Sequence, residues 1–213
     1  LMPEAPIVQL IADNEKLKHL SKNLLRSDAD YFILAEARDG IALDTAVKIA
    51  SKGTRRMKIT FHTRDPLDFS YDVAFEIVKS LGGNLDSTAR KVASSFDYVF
   101  HFIQLKNKSQ KRLKSVYELG IDRDTREISM KEICRYDHRS DGWKWEYAVS
   151  EDKLIIGEEE DAETLKAFLE ELKTLSNAGK GGGRDAVLYD FSDRRLDDLF
   201  EPGKKLMGQS QDA

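Results

Sequence analysis

The chain has 213 residues, of which 40% are hydrophobic and 34% are charged, and its formal net charge is −4. The hydrophobic fraction is enough for a folded core, and the negative charge argues against a wholly basic nucleic-acid-binding domain. No apolar run approaches the ~18 residues of a membrane span. The single cysteine, Cys134, excludes an internal disulfide and is typical of a reducing, cytosolic setting.

The first third of the chain predicts alternating helices and short strands. The run Tyr31–Ala35 is continuously apolar, which is typical of a strand buried on both faces. In order, the predicted elements are a helix over 15–26, a strand over 31–35, a turn over 37–40, a helix over 41–50 that stops near Gly53, a strand over 57–61 and a helix over 67–81 that is closed by 82–84. This alternation predicts βαβ units around a parallel sheet, and therefore an α/β fold.

Beyond a short helix predicted near 86–94, the pattern becomes rich in β-forming residues. Four such stretches, joined by polar connections, span 96–105, 112–119, 127–136 and 143–149. They predict an antiparallel meander attached to the parallel sheet. In the last stretch, Trp143 and Trp145 are two residues apart, so we expect both to face the same side of the strand.

The remaining part of the chain predicts one more helix and a polar tail. Acidic residues at 158–161 lie near the start of an amphipathic helix over 157–176, where the helix dipole favours negative charge. A solvated helix start is favoured over a metal site there. Residues 177–213 are predicted to be a linker and tail, with a short docking helix at 193–200. The predicted apolar stripe of the long helix consists of Leu165, Phe168, Leu169 and Leu172.

Three features that suggest chemistry have plainer interpretations. The glycine-rich stretch Gly179–Arg184 follows no buried strand, and Lys180 precedes Gly181 rather than a hydroxyl residue, so it is predicted to be a linker and not a phosphate loop. The four histidines show no ligand spacing with Cys134, which disfavours a zinc site. Cys134 lies in a predicted strand, and a buried structural thiol is the default interpretation.

The most informative local pattern is a polar residue directly after each of the first two strands. Glu36 follows the strand over 31–35, and His62 follows the strand over 57–61. Ligands of open α/β folds bind beyond the carboxyl ends of parallel strands. A carboxylate there can orient or deprotonate a water, or lie near magnesium, in a nucleoside triphosphatase. The alternative for either residue alone is an exposed charge at a strand end.

The residues around Glu36 resemble a known family. The stretch from Leu25 to Asp44 is similar to the Walker B region of the type II/IV secretion ATPases, and it is closest to the CpaF-like branch that powers tight-adherence (Flp) pilus assembly. Ala35 stands where the family usually has glycine. The matching positions are Leu25, Arg26, Asp30, Glu36, Arg38, Gly40, Ala42, Leu43 and Asp44.

The segment from Gly53 to His62 resembles the His box of the same family. Its spacing is kept and Thr60 and His62 match, whereas Thr54 replaces the first histidine. Asp65-Pro66 fits the family's usual start of the next helix, and the residues that follow Phe96 resemble a later strand. The resemblance covers about 25–137 and is most specific over 25–66.

This resemblance implies a RecA-like P-loop ATPase core that assembles as a homo-oligomeric ring, usually a hexamer. Such a ring would use ATP and Mg²⁺ in the cytoplasm, peripheral to the inner face of the cell membrane, where it would act on platform proteins of a secretion or pilus machine. By the same resemblance, Glu36 polarises the attacking water or lies in the second shell of Mg²⁺, with no direct metal ligand assigned. His62 contacts the terminal phosphate. Arg38, Thr60, Arg55 and Arg56 would bind nucleotide or contact a neighbouring subunit, and Asp44 would be structural.

No stretch of the chain matches the Walker A pattern, and the first residue is Leu1 rather than methionine. We therefore expect the C-terminal part of such an ATPase, which by itself binds ATP weakly or not at all. In this division, residues 1–150 belong to the RecA-like domain, 151–176 form an amphipathic helical appendage and 177–213 form the linker and tail.

A second hypothesis is a non-catalytic interaction module, derived from such an ATPase, that docks on a secretion or conjugation apparatus. The basic stretch 106–114 could contact anionic lipid or nucleic acid, but a solvated hairpin loop is favoured and direct nucleic-acid binding is not expected. The basic residues beside the His box could reach a neighbouring subunit's nucleotide or make an edge soluble. They are Lys52, Arg55, Arg56 and Lys58.

Overall fold

The computed structural model describes residues 16, 17, 23, 31–52, 57–105, 111–147 and 149–178. Its elements are β1 (Phe32–Leu34), α1 (Gly40–Ala50), β2 (Met57–Ile59), a 3₁₀ turn (Pro66–Asp68), α2 (Phe69–Leu81), α3 (Leu85–Ala93), β3 (Tyr98–Gln104), β4 (Lys111–Ile121), β5 (Ile128–Asp137), β6 (Gly142–Trp145) and α4 (Glu151–Ala178). The strands form a two-stranded parallel sheet and a four-stranded antiparallel sheet in the order β3-β4-β5-β6. The predicted α/β class, with parallel strands followed by a meander, is confirmed.

The chain divides into two compact units. The first comprises Leu1–Asp97 and Leu119–Ser129, and the second comprises Tyr98–Glu118 and Met130–Ala213. The first unit therefore contains β1, β2 and the three short helices, whereas the second contains most of the antiparallel sheet and the long helix α4.

Local capping explains where the helices of the first unit begin and end. The Asp39 carboxylate accepts hydrogen bonds from the backbone N–H groups of Ile41 and Ala42, both at 3.0 Å, and so satisfies two donors at the start of α1. Gly82, with φ of 77°, ends α2 as predicted. Of the helix predicted over 15–26, the described residues 16, 17 and 23 are helical.

The core of the first unit is built from small and aromatic side chains. A Cβ at position 40 would clash with the carbonyl oxygen of Glu76, so glycine lets the start of α1 approach α2 closely. Phe69 makes edge-to-face contacts with Phe61 and Phe96, each with ring centroids 6.0 Å apart. The fully buried residues between the helices include Leu43, Ala46, Val73, Ala74, Ala89 and Val92.

The predicted burial of β1 on both faces is wrong. Successive side chains of a strand point to opposite faces, and Ile33 is 73% exposed while Phe32 and Leu34 are partly buried. Within the described residues, β1 has one strand neighbour, β2, and its outer face carries the exposed side chains of Ile33 and Tyr31. A strand that is buried on both faces and a strand with one exposed apolar face can have the same continuously apolar sequence. The run alone therefore does not distinguish between them.

In the second unit, α4 packs on the antiparallel sheet. Trp145 of β6 contacts two buried clusters, one with Leu154, Leu169 and Leu172 of α4 and the other with Cys134 of β5. The buried cysteine that the sequence predicted is confirmed, and burial raises the pKa of the Cys134 thiol to about 12. This thiol is therefore protonated near neutral pH.

Helix α4 begins earlier than predicted and is interrupted by a kink. It starts at Glu151 rather than 157, because Leu154 supplies an apolar anchor that is fully buried. Asp161 has extended backbone angles inside it, and its carboxylate accepts hydrogen bonds from the N–H and hydroxyl of Thr164 at 3.0 and 2.6 Å. Asp161 thus caps the part of α4 that follows the kink, and the helix start that was predicted at the acidic residues lies at this kink. Phe168, predicted in the apolar stripe, is 44% exposed.

The two tryptophans lie on one face of β6, as predicted. Trp143 is the register partner of Tyr136, and Trp145 is the partner of Cys134, two residues earlier on the same strand. The Trp143 indole N–H donates to the carbonyl oxygen of Leu113 at 2.9 Å. Strand β6 ends at Trp145, short of the predicted 149.

Candidate functional site

The parallel pairing of β1 and β2 brings two chemistry-bearing segments to one edge. Phe32 pairs with Met57 and Leu34 pairs with Ile59, so both strands end at the same level. Glu36 follows the first strand within two residues of its end, and Thr60 directly follows the second. The prediction that these two segments meet at the carboxyl edge of a parallel sheet is confirmed for the backbone of Glu36 and Thr60.

Three hydrogen bonds join the two segments. The backbone N–H of Glu36 donates to the Thr60 hydroxyl oxygen at 2.7 Å. The N–H of Ala37 donates to the carbonyl oxygen of Thr60 at 3.0 Å. The N–H of Thr60 in turn donates to the carbonyl oxygen of Leu34 at 3.4 Å. Thr60 therefore holds the turn that carries Glu36 through both its side chain and its backbone.

Glu36 has a left-handed backbone conformation, with φ of 60°. This region is rare for residues other than glycine, asparagine and aspartate, and it costs a glutamate about 1–2 kcal/mol. The neighbouring hydrogen bonds from the N–H groups of Glu36 and Ala37 to Thr60 maintain it. Strained residues of this kind cluster at functional sites, where the strain sets the direction of a side chain.

The Glu36 carboxylate forms an ion pair with the Arg38 guanidinium, two residues further on. Both side chains are exposed, so water screens the attraction and the pair contributes little to stability. The arrangement instead keeps a carboxylate and a cation side by side at the open edge. Such a pair can bind a polarised water on one side and a phosphate oxygen on the other.

His62 lies two residues beyond Thr60 and is exposed. The segment that carries it is anchored on both sides of the histidine. Phe61 packs edge-to-face on Phe69, and the hydroxyl of Thr63 lies 2.6 Å from a carboxylate oxygen of Asp72. The imidazole thus projects from a fixed backbone and is accessible to a ligand or to another protein.

The other predicted site residues divide into two groups. Arg55 and Arg56 of the predicted nucleotide or subunit contact, like Gly53 and Thr54, lie outside the described residues. Asp44 pairs with Lys48, with Oδ2 and Nζ 2.5 Å apart one turn along α1, which suits the structural role expected of it.

The basic stretch predicted over 106–114 is described only from Lys111 onwards. The guanidinium of Arg112 lies 4.2 Å from the ring centroid of Tyr136 and 3.9 Å from a carboxylate oxygen of Asp141. It is therefore engaged in a cation–π contact and an ion pair on the antiparallel sheet. The side chain of Lys114, two residues on, is exposed.

Sequence patterns did not reveal a buried carboxylate on the antiparallel sheet. Glu132 is buried, and both of its oxygens accept hydrogen bonds from Arg135, at 2.6 and 2.7 Å. Burial is the main cause that raises the pKa of the nearby Tyr117, with Glu132 adding to it. A charge at an alternating strand position usually faces water, so nothing in the pattern marks this glutamate as buried.

Within the described residues, no group of three or more histidine, cysteine, aspartate or glutamate side chains is placed to hold a metal ion. In the same part of the chain, no helix is both long and apolar enough to cross a bilayer.

Comparison with known families and with curated proteins found no match to this sequence. A functional assignment therefore rests on the residues of the β1–β2 edge and on their resemblance to a motif.

Proposed function

We propose that this chain is the C-terminal part of a ring-forming ATPase related to the type II/IV secretion ATPases, with a RecA-like core that couples ATP hydrolysis to protein export or pilus assembly. The ring, a homo-oligomer and usually a hexamer in that family, would work on the cytoplasmic side of the inner membrane, against platform proteins. The observation that supports this most is the hydrogen bond from the Glu36 N–H to the Thr60 hydroxyl. It joins the Walker B-like and His-box-like segments, which the resemblance identifies separately.

The residues at this edge fit one half of a nucleotide site. Glu36 can accept a hydrogen bond from a water and so hold it in line with a terminal phosphate, while Arg38 and His62 offer cationic or hydrogen-bonding groups to phosphate oxygens. A Mg²⁺ ion bound with ATP would neutralise charge on the phosphates. No stretch of the 213 residues matches the loop that wraps the phosphates, and in this proposal another segment or subunit would supply it.

The exposure of Glu36, Arg38 and His62 is consistent with a site completed by other residues. A self-sufficient catalytic centre excludes water, whereas these side chains lie open on the edge of a two-stranded sheet. The same exposure also favours the second candidate, a non-catalytic module that uses this edge to dock on a secretion apparatus.

Glu36→Gln tests the proposal in a protein that includes the phosphate-binding loop. The substitution keeps the size of the side chain but removes its negative charge, so phosphate release should fall by about 10²–10³-fold while ATP binding persists. Glu76→Gln is the matched control, because the Glu76 carboxylate pairs with Lys79 on α2 rather than with Arg38, and the substitution should leave turnover unchanged. Unchanged turnover in Glu36→Gln would remove Glu36 from the mechanism and support the docking module.

A further inference from the structure

Strand β3 carries a row of exposed aromatic side chains. Tyr98, Phe100 and Phe102 are between 39% and 60% exposed, and their spacing of two residues places them on one face of the strand. Lys111 of β4 is the register partner of Gln104, two residues beyond Phe102, so its exposed side chain lies on the same face. The β3 surface is defined here by Tyr98, Phe100, Phe102 and Lys111.

Helix α2 and the turn before it carry a second exposed apolar row. Tyr71 and Phe75 lie on one side of α2, and Leu67 continues their row by one turn. All three are between 44% and 56% exposed. With the exposed Asp68, which makes no capping hydrogen bond, they form the α2 surface. Monomeric proteins rarely expose contiguous apolar rows, so each of the two surfaces calls for a partner. The buried side of α2 consists of Ser70, Val73, Ala74 and Ile77.

The two surfaces lie in stretches of opposite charge. Residues 98–117 contain five lysines and arginines and no acidic residue. Residues 65–75 contain three aspartates and no lysine or arginine. Lys111 on the first surface and Asp68 on the second are both exposed, so their charges are available to a partner. The chemistry that each surface requires of its partner is therefore present on the other.

These charges favour a contact between two different surfaces over a symmetric one. A symmetric contact through β3 would bring five cations against the same five, and one through α2 would bring aspartates together. Like charges across an interface are repulsive, whereas the β3 surface on the α2 surface joins opposite charges and covers both apolar rows at once.

The apolar area suits the centre of such a contact. Aromatic side chains bury about 150–250 Å² each, so a half-exposed one offers roughly 100 Å². Each surface thus supplies roughly 300 Å² of apolar area, whereas a standard interface buries about 800 Å² on each partner and surrounds its apolar centre with a polar rim. We expect a contact of this kind to have a dissociation constant in the micromolar range.

We infer that a second copy of this chain is the partner, and that the β3 surface of one copy binds the α2 surface of the next. The two apolar rows form the centre of the contact, and Lys111 and Asp68 lie among the opposite charges at its rim. Repeating a contact between two different surfaces builds a closed ring or a filament. The contact rests on the proposed function in that it names the surfaces of the homo-oligomer, but it involves neither ATP nor Glu36.

Mixing two variants of the full chain, without nucleotide, tests this contact. Phe75→Ser impairs the α2 surface and Phe100→Ser impairs the β3 surface. Each should weaken self-association about 30-fold, because central aromatic residues carry much of the binding energy of a contact. An equimolar mixture should form a 1:1 dimer in sedimentation velocity, since each variant keeps the surface that the other lacks. Phe168→Ser, which removes an exposed aromatic side chain of α4, is the matched control and should associate as the native chain does.

Other occupants give different results in the same experiment. Self-association that persists in Phe75→Ser alone would indicate a symmetric contact through β3, and persistence in Phe100→Ser alone would indicate one through α2. Either result would overturn the inference, as would a native chain that is monomeric at every concentration. Binding of that monomer to vesicles of anionic lipid, lost in Phe100→Ser, would assign the β3 surface to a membrane instead. Turnover is not measured here, so a failure of this contact and a failure of the proposed ATPase remain distinguishable.

Charge reversal tests whether the two surfaces meet each other. Asp68→Lys and Lys111→Glu should each weaken self-association about tenfold, because each brings like charges together across the contact. The two substitutions combined in one chain should restore association, because the charges are again opposite. Losses that simply add in the combined variant would contradict a contact between these two surfaces.

Discussion

Glu36 at the β1–β2 edge and Glu132 on the antiparallel sheet each pair with an arginine close in sequence, yet their surroundings differ. The Glu36–Arg38 pair is exposed and sits on a strained, left-handed residue. Glu132 is buried, and Arg135 binds both of its oxygens. The first arrangement costs stability and leaves its charges accessible, whereas the second is part of the packed structure.

This contrast distinguishes an exposed ion pair, which contributes little to stability, from a buried carboxylate that belongs to the packed structure. Exposed ion pairs contribute about 0–1 kcal/mol, whereas removing a buried carboxylate costs both its hydrogen bonds and the packing around it. The two glutamates should therefore respond in opposite ways to substitution.

The largest effect on stability is expected for Glu132→Ala. The substitution removes a buried carboxylate that accepts two hydrogen bonds and leaves a cavity in its place, so the free energy of unfolding should fall by about 2 kcal/mol. Urea unfolding followed by circular dichroism measures this. Glu76→Ala, which breaks a partly exposed pair with Lys79, should cost no more than about 0.5 kcal/mol. Equal losses in the two variants would show that the burial of the Glu132 carboxylate adds nothing to the stability of its ion pair.

Glu36→Gly should stabilise the protein by about 1 kcal/mol, because glycine adopts a positive φ without strain. It should also abolish turnover wherever the complete nucleotide site is present. Arg126→Gly is the matched control, since Arg126 has φ of 61° in the β4–β5 connection. It should show a similar gain in thermal midpoint with no loss of turnover. A lower thermal midpoint in Glu36→Gly would show that the left-handed conformation of Glu36 does not destabilise the native protein.

The smallest effect on stability is expected for Asp137, which forms an ion pair with Lys144 on the antiparallel sheet. The hydrogen bond from Lys144 is the main cause that lowers the pKa of Asp137 to about 2. A carboxyl with a lowered pKa stabilises the fold above its ordinary pKa near 3.8, and this contribution is lost as the pH falls through about 2. Asp137→Asn should therefore lower the urea midpoint at pH 7, and its difference from the native chain should shrink steadily as the pH falls from about 4 through about 2. A difference of the same size at pH 7 and at pH 2 would point to a packing effect.

Sequence patterns predicted the parts of this fold that depend on local chemistry. The boundaries of α1 and α2 follow from capping by Asp39 and from Gly82, and the βα alternation brings Glu36 and Thr60 together. These features require only short-range periodicity and cap residues, which a single sequence displays directly.

The features that the sequence did not reveal depend on three-dimensional context. Whether Ile33 is covered depends on how many strands flank β1, and the early start of α4 depends on the pocket that buries Leu154. The left-handed angle of Glu36 was also unexpected, because that conformation normally marks glycine. At this residue local preference and structure disagree, which is common at functional sites.

A double-mutant cycle between Glu36 and Thr60 tests the central claim most directly, namely that the two segments act as one site. In a protein with the phosphate-binding loop, Thr60→Val removes the hydroxyl that accepts the Glu36 N–H, and turnover should fall about tenfold. Added to Glu36→Gln, the same substitution should cause no further loss, because its effect passes through Glu36. Fully additive losses would contradict the claim and assign Thr60 a role independent of Glu36.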